Sequence, residues 1–269
     1  MLADISGALA ILTRPQGHND SLASQLRQAG IDVSVQPVLR LIPAATPAPV
    51  PGGFDLVMFV SAAAARFYFE QIHGGRGASW PDTTLACTVG PASARALRDA
   101  GVIPAENIVH PGPESPNHDS EALWALLAPR LPAIKRALIV RGETGREWLG
   151  RQLEGAGIEV RHHAAYRREP ILWAAGQADE LARRLSAASS SVCLVTSTES
   201  ADALHANIEH HAVRLRQLWE RVRFVTIHPR VASRLTSRFT VASGVPPSVR
   251  LCAADDGAVF QAIQSLALS

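Results

Sequence analysis

The sequence predicts an α/β protein of two similar lobes, each a parallel sheet flanked by helices. Three observations predict it. Short apolar runs alternate along the chain with stretches of helical spacing, which is the pattern of βαβ units rather than of hairpins. One strand–turn–helix–strand unit occurs twice without a gap: Arg14 falls on Arg141, Gln25 on Gln152, Leu26 on Leu153, Gly30 on Gly157, Ile31 on Ile158 and Val33 on Val160. The elements after each copy are duplicated as well. A strand before Ser61 and a strand before Gly90-Pro91, each leading into a helix, match strands before Ser197 and His228-Pro229.

In chain order, residues 10–14 read as a strand ending in Arg14. A helix through Leu22, Leu26 and Ala29 stops at Gly30, and residues 31–33 form the next strand. Residues 36–42 are extended by composition, because Pro37 cannot continue a helix. Residues 43–53, rich in Pro and Ala, are a surface loop. The apolar run 55–60 is a buried strand, and Ser61 caps a helix through Ala65, Phe67, Tyr68 and Phe69. Gly74-Gly75-Arg76-Gly77 comes after a helix rather than a strand, so it reads as a loop and not as a phosphate cradle. Residues 84–89 are a strand, and Pro91 opens the next helix, to Ala100. Next come a short strand at 107–110, a loop at 111–117 and a helix at 118–127.

The central copy of the unit has a strand at 137–140, a turn at 141–145 and a helix at 146–156. Trp148, Leu149, Leu153 and Ala156 share one face of that helix. Gly157 stops it, and 158–161 is again a strand. Beyond it come a helix at 178–185, a strand at 191–196, a helix from Ser197 to about Asn207 and another at 213–219. Then come a strand at 222–227, a helix from His228-Pro229 to about Ser237, a short strand at 239–242 and a last helix at 255–266.

Composition narrows the function. The 269 residues are 47% hydrophobic with a mean hydropathy of +0.07, enough for a packed core in one large or two modest domains. A net charge of +2 is too balanced for a dedicated nucleic-acid protein. Cys87, Cys193 and Cys252 are an odd number without close spacing. They argue against a disulfide framework or a zinc site and for a reducing compartment. His162-His163 and His210-His211 lack metal-ligand spacing and read as solvated surface. With no signal-like N-terminus and no apolar segment near about 18 residues, the chain is expected to be cytoplasmic and to engage no membrane.

Ligands of such sheets bind beyond the carboxyl ends of the strands, close to helix N-termini. The residues there are Thr13-Arg14-Pro15, Ser61, residues 90–93 (with Gly90 and Ser93), Arg141-Gly142, Thr196-Ser197 and His228-Pro229. Arginines, hydroxyls and free backbone N–H groups make an anion site. They include no metal cage and no nucleophile–base pair.

Thr13-Arg14-Pro15, Phe59-Val60-Ser61, residues 89–93, Arg141-Gly142 with Gly145-Arg146, Tyr166-Arg167-Arg168 and Thr196-Ser197, in this order and over nearly the whole chain, resemble the uroporphyrinogen-III synthase family. The resemblance implies that the chain crosses between lobes over two extended linkers. Lobe one is then residues 1–37 plus 169–269, lobe two is 42–163, and the linkers are 38–41 and 164–168. It implies closure of the linear tetrapyrrole hydroxymethylbilane with loss of water and inversion of the terminal ring. It implies no cofactor, no nucleic-acid partner and a monomer.

On this reading Arg14, Arg141 and Arg146 hold substrate carboxylates by forked hydrogen bonds. Thr13, Ser61, Gly90, Ser93, Gly142, Thr196 and Ser197 supply further contacts at helix starts. Tyr166, expected at the mouth of a cleft, donates to the leaving hydroxyl. The sequence departs from the family pattern at Ala62-Ala63-Ala64 and at His228-Pro229-Arg230-Val231, where Arg230 is the substitute anion ligand. The rival readings are a non-catalytic two-lobed protein that binds an anionic small molecule, and an interaction scaffold.

Overall fold

The computed structural model describes residues 7–73, 79–112, 114–115, 119–143, 147–241 and 244–268. The expectations for Gly74-Gly75-Arg76-Gly77, Asn117, His118, Gly145, Arg146 and Ala242 lie outside the described residues. The chain divides into two compact units, Met1–Arg40 with Glu169–Ser269, and Leu41–Arg168.

The first unit is built on five strands: β1 (Ala8–Leu12), β2 (Asp32–Val35), β9 (Ser190–Leu194), β10 (Arg223–Thr226) and β11 (Val249–Leu251). They pair in the order β11-β10-β9-β1-β2, and every pair is parallel. The second unit carries β3 (Leu39–Pro43), β4 (Leu56–Phe59), β5 (Leu85–Cys87), β6 (Ile108–Val109), β7 (Arg136–Gly142) and β8 (Glu159–Pro170), in the order β3-β8-β7-β4-β5-β6. Placed on one another, the runs β11-β10-β9-β1-β2 and β6-β5-β4-β7-β8 coincide, so the duplication seen in sequence is a duplication of topology. The register repeats too: Leu12 faces Val35 in the first unit, and its counterpart Ile139 faces His162 in the second.

Helices cover both faces of each sheet, which is why the central strands are apolar on both sides; all five residues of β1 are buried. In the first unit α1 (Asp20–Gln28) and α10 (Asp256–Ala267) bury Leu22, Leu26, Val259 and Ile263 on one face. On the other face lie α6 (Ala175–Ala187), α7 (Thr198–His210), α8 (Ala212–Trp219) and α9 (Pro229–Phe239). In the second unit α2 (Ala62–His73) and α3 (Pro91–Asp99) cover one face, and α4 (Ser120–Leu127) and α5 (Trp148–Gly155) the other. α1 and α5 end alike. Gly30 and Gly157 sit at φ +83° and +82°, and the next amides, Ile31 N and Ile158 N, donate back to Leu26 O and Leu153 O at 3.0 and 3.1 Å.

Two expectations fail here. The strand read at 239–242 is not formed over its described residues, 239–241: α9 continues through Phe239, whose ring packs on Phe224 at 4.9 Å and on His205 at 5.5 Å. The fifth strand is instead β11, a three-residue edge strand too short and too exposed to show a period. The two His pairs are also not uniformly solvated. His163 and His211 are buried, donating from Nε2 to Gln71 Oε1 (2.9 Å) and to Trp173 O (2.8 Å). A lone buried histidine among exposed neighbours leaves no mark in sequence.

Apart from Val38, the segments read as linkers are strand residues, in β3 and β8. Ile171 N donates to Val38 O at 2.8 Å and Ala44 N to Ala165 O at 3.0 Å, so β3 and β8 run antiparallel. Gln71 of α2 bridges them, donating from Nε2 to both Ala44 O and Ala165 O. Its oxygen takes the proton of His163, a ring held neutral because burial depresses its pKa, helped by the charge of Arg161. An unfolded histidine takes up its proton near pH 6.5 and the folded one lower. The unfolded chain therefore binds more protons below about pH 6.5, and stability is lost as pH falls through that point. Urea midpoints compared at pH 7.5 and 5.5 are expected to show this loss, and His163→Gln to flatten it.

In the first unit Asn207, 1% exposed, organises the entry to α6. Its amide donates to Ile171 O (2.7 Å) and Ala203 O (2.9 Å), and its oxygen accepts from Trp173 N (2.7 Å). Asn207→Ala leaves two buried backbone groups unpaired and is expected to cost about 2–3 kcal/mol in a denaturation titration.

Candidate functional site

The carboxyl ends of the strands carry the predicted residues, in two sets. In the second unit β7 ends in Arg141-Gly142 and faces β8 across a break in register. Arg141 lies opposite Ala164, but Gly142 lies opposite Tyr166, so Ala165 is an inserted residue, a β-bulge. Along a regular strand Ala165 and Tyr166 would point to opposite faces. The bulge turns both into the core beneath α2.

Tyr166 is 3% exposed, and its ring stacks on Phe67 at 5.6 Å and 27°. Gly142 closes the other approach. A methyl group there would lie 3.0 Å from Tyr166 Cε2 and Cζ and 3.3 Å from Oη. The ring is thus packed in the interior beneath α2, from a strand paired on both sides, not standing free at a surface as its linker position suggested. Oη accepts from Arg168 Nη2 at 3.4 Å, and the Arg168 guanidinium carbon is 5.6 Å from the ring centroid.

Arg141 has a side chain only 15% exposed. One nitrogen donates to Glu147 at 3.3 Å, while Nη1 is buried with no partner among the described residues. Ser61 Oγ accepts from Ala64 N at 3.1 Å, as a helix cap. α3 begins at Gly90 with Pro91 in its first turn and no capping side chain, so its leading N–H groups are available to an anion. Ser93 is buried at 7% exposure.

In the first unit Arg14, the counterpart of Arg141, has its side chain 14% exposed and donates at 2.7 Å to Asp256, a carboxylate from α10 rather than from α1, the repeat of α5. Thr13 is wholly buried and its hydroxyl donates to Leu194 O at 2.6 Å. That hydroxyl ties β1 to β9 and is spent on the fold, not offered to a ligand as its place at a strand end suggested. Thr196 and Ser197 are half-buried; Ser197 Oγ caps α7 at Ser200 N (3.0 Å) and contacts Ser200 Oγ (2.9 Å). His228 caps α9 through its own ring, Nδ1 accepting from Arg230 N at 3.1 Å, and the Arg230 side chain is exposed.

Two further residues are not among the sequence candidates. Asn19 Oδ1, at the start of α1, and Thr226 Oγ1, at the end of β10, are buried without partners among the described residues. Thr88, the counterpart of Thr226, instead donates to Phe59 O at 2.9 Å. A buried polar atom without a protein partner is open to a bond from water or a ligand, and Trp219 Nε1, in the cavity at the other end of the first unit's sheet, is a further one. Position before a helix marks Asn19 and Thr226 in sequence; lack of a partner does not. Cys87 and Cys193 are fully buried, and burial pushes the Cys87 thiol up to about 12, so neither is a reactive thiolate. The cavity, of about 310 Å³ and lined by His205, Trp219 and Phe239, lies away from the strand-end groups.

A family model described as uroporphyrinogen-III synthase HemD matches residues 20–249. The chain belongs to the uroporphyrinogen-III synthase family. It is 30% identical over 195 residues to the uroporphyrinogen-III synthase of Escherichia coli K12, covering 70% of this chain and 75% of that protein. It is also 30% identical to the Salmonella typhimurium LT2 enzyme over 164 residues, 59% of this chain and 64% of that one. The fold is that of uroporphyrinogen-III synthetase from Helicobacter pylori 26695, with a TM-score of 0.58 at 15% identity, covering 97% of this chain and 99% of the other. Membership makes this an enzyme of porphyrin and haem biosynthesis, and nothing in the comparisons favours a non-catalytic binding protein. No helix among the described residues is long and apolar enough to cross a membrane.

Proposed function

We propose that the chain closes hydroxymethylbilane to uroporphyrinogen III, with Tyr166 as proton donor to the departing hydroxyl and the strand-end groups of each unit as carboxylate ligands. The observation that carries the site assignment is the bulge at Ala165. It seats the phenol against Gly142, which follows an Arg141 whose Nη1 has no partner among the described residues.

A pyrrole nitrogen pushes electrons toward the carbon that carries the hydroxyl. The C–O bond breaks as the oxygen takes the proton of Tyr166 and leaves as water. The electrophilic carbon is attacked by the far ring, which inverts, and the macrocycle closes with loss of a proton. Substrate electrons suffice, so the protein's main contribution is to hold a floppy chain with its ends together. Orientation of this kind contributes up to about 7–11 kcal/mol. Arg14 and Arg141 grip carboxylates by exchanging their internal partners Asp256 and Glu147 for the substrate. Ser61, Gly90, Gly142, Thr196 and Ser197 contribute contacts around them, chiefly through helix-start N–H groups, and Arg146 and Arg230 add positive charge. Ser93, buried, contributes through its backbone, and Thr13 by fixing the strand end next to Arg14. Residues 1–37 with 169–269 and residues 42–163 act as two lobes linked by 38–41 and 164–168, in a cytoplasmic monomer.

The test is product isomer analysis with freshly generated hydroxymethylbilane. Unassisted closure gives isomer I without inversion. Predominant isomer III is the expected result, and isomer I alone from folded protein overturns the proposal.

A further inference from the structure

We infer that Arg168 is the positioning residue of the Tyr166 phenol, fixing its hydroxyl as a donor and holding the phenolate that forms when the proton leaves. This inference rests on the proposed role of Tyr166. Arg168 lies two positions after Tyr166 in β8, beyond the bulge and within the same compact unit. The ring is held by Phe67 stacked on it and by Gly142 against its edge. The guanidinium carbon sits 5.6 Å from the ring centroid, and Nη2 donates to Oη at 3.4 Å in a part-buried setting.

A guanidinium has donors and no acceptor. Its contact therefore uses a lone pair of Oη and leaves the phenolic O–H to donate elsewhere. Against an acceptor such as a carboxylate, the same O–H would be consumed within the protein. The arrangement also balances charge through the reaction. As the C–O bond of the substrate breaks, its electron pair goes to oxygen, and the Tyr166 proton makes that oxygen water. The phenolate left behind stands beside the Arg168 guanidinium, and an adjacent positive charge favours the ionised phenol. When the ring-closing bond has formed, the attacked carbon sheds its hydrogen as a proton. The phenolate takes it, and Tyr166 is restored with no other base and no co-reactant.

The experiment is a double-mutant cycle on isomer III formation with Arg168→Ala, Tyr166→Phe and the pair, resolving kcat from KM. Arg168→Ala is expected to lower kcat about tenfold to a hundredfold, the scale of one charge-assisted hydrogen bond, with KM within about twofold. In the Tyr166→Phe background it is expected to have no further effect. Arg168→Lys keeps the charge and is expected to recover part of kcat; it also serves if the alanine variant does not fold, the melting temperature reporting which case applies. Unchanged kcat in Arg168→Ala, with Tyr166→Phe inactive, overturns the inference and leaves the Tyr166 reading standing. A rise in KM alone makes Arg168 a substrate ligand and overturns it, as do additive effects in the pair. Near-normal turnover of Tyr166→Phe removes the underlying reading itself.

Discussion

Tyr166→Phe is expected to form isomer III about 10²–10⁴-fold more slowly than the parent, the usual worth of a placed proton donor, with its fold intact. The substitution keeps the ring on Phe67 and against Gly142, so the packing that holds β8 at its bulge is unchanged. It removes one oxygen that accepts a 3.4 Å bond from an exposed arginine, a loss of about 0.5–1 kcal/mol at most. Activity and stability are thus predicted to separate. The measurements are the isomer III rate and a thermal melt on the same preparation. A large fall in melting temperature would mean that the phenol is chiefly structural.

Gly142→Ala is expected to disturb the same group without touching it. A methyl at position 142 meets Tyr166 Cε2 and Cζ at 3.0 Å, closer than van der Waals contact allows. The ring cannot yield toward Phe67, which is already stacked on it. The backbone of Gly142 is tied to β8 opposite Tyr166, and Glu143 N donates to Tyr166 O at 3.1 Å immediately beyond. Something must move. The expected result is a loss of about 1–3 kcal/mol, the cost of overpacking a filled interior. Turnover should fall tenfold or more as the hydroxyl leaves its place. Gly176→Ala is the control: a methyl there meets nothing within 4 Å, and neither activity nor stability should suffer. If Gly142→Ala were as active as the control, the close seat of the phenol would be irrelevant to catalysis.

Much of the architecture was legible because it is encoded locally. The paired glycines at 30 and 157 stop two helices in the same left-handed conformation, and a Gly after an apolar helical face is readable in any sequence. Ser61 and Ser197 cap the helices they precede, as their positions suggested. The strand–Arg and strand–Ser order, met twice, was enough to infer duplicated lobes, and the strand orders match the inference. The ends of elements were less legible. α9 overran its expected end because Phe239 found aromatic partners, and β11 was too short to leave a pattern.

The sequence by itself determined the repeat, the alternation of strands and helices, and which residues stand at strand ends. All of these arise from spacings of a few residues. Only the tertiary structure decided what each strand-end group faces. Thr13 spends its hydroxyl on Leu194, Arg14 meets Asp256 near the other end of the chain, and the Nη1 of Arg141 meets no partner among the described residues. It also decided, through one inserted residue between β7 and β8, that Tyr166 turns inward against Gly142. Period-two alternation tells which residues share a face, but a bulge resets that alternation. The register that creates the bulge belongs to the pairing of two strands, not to either strand alone.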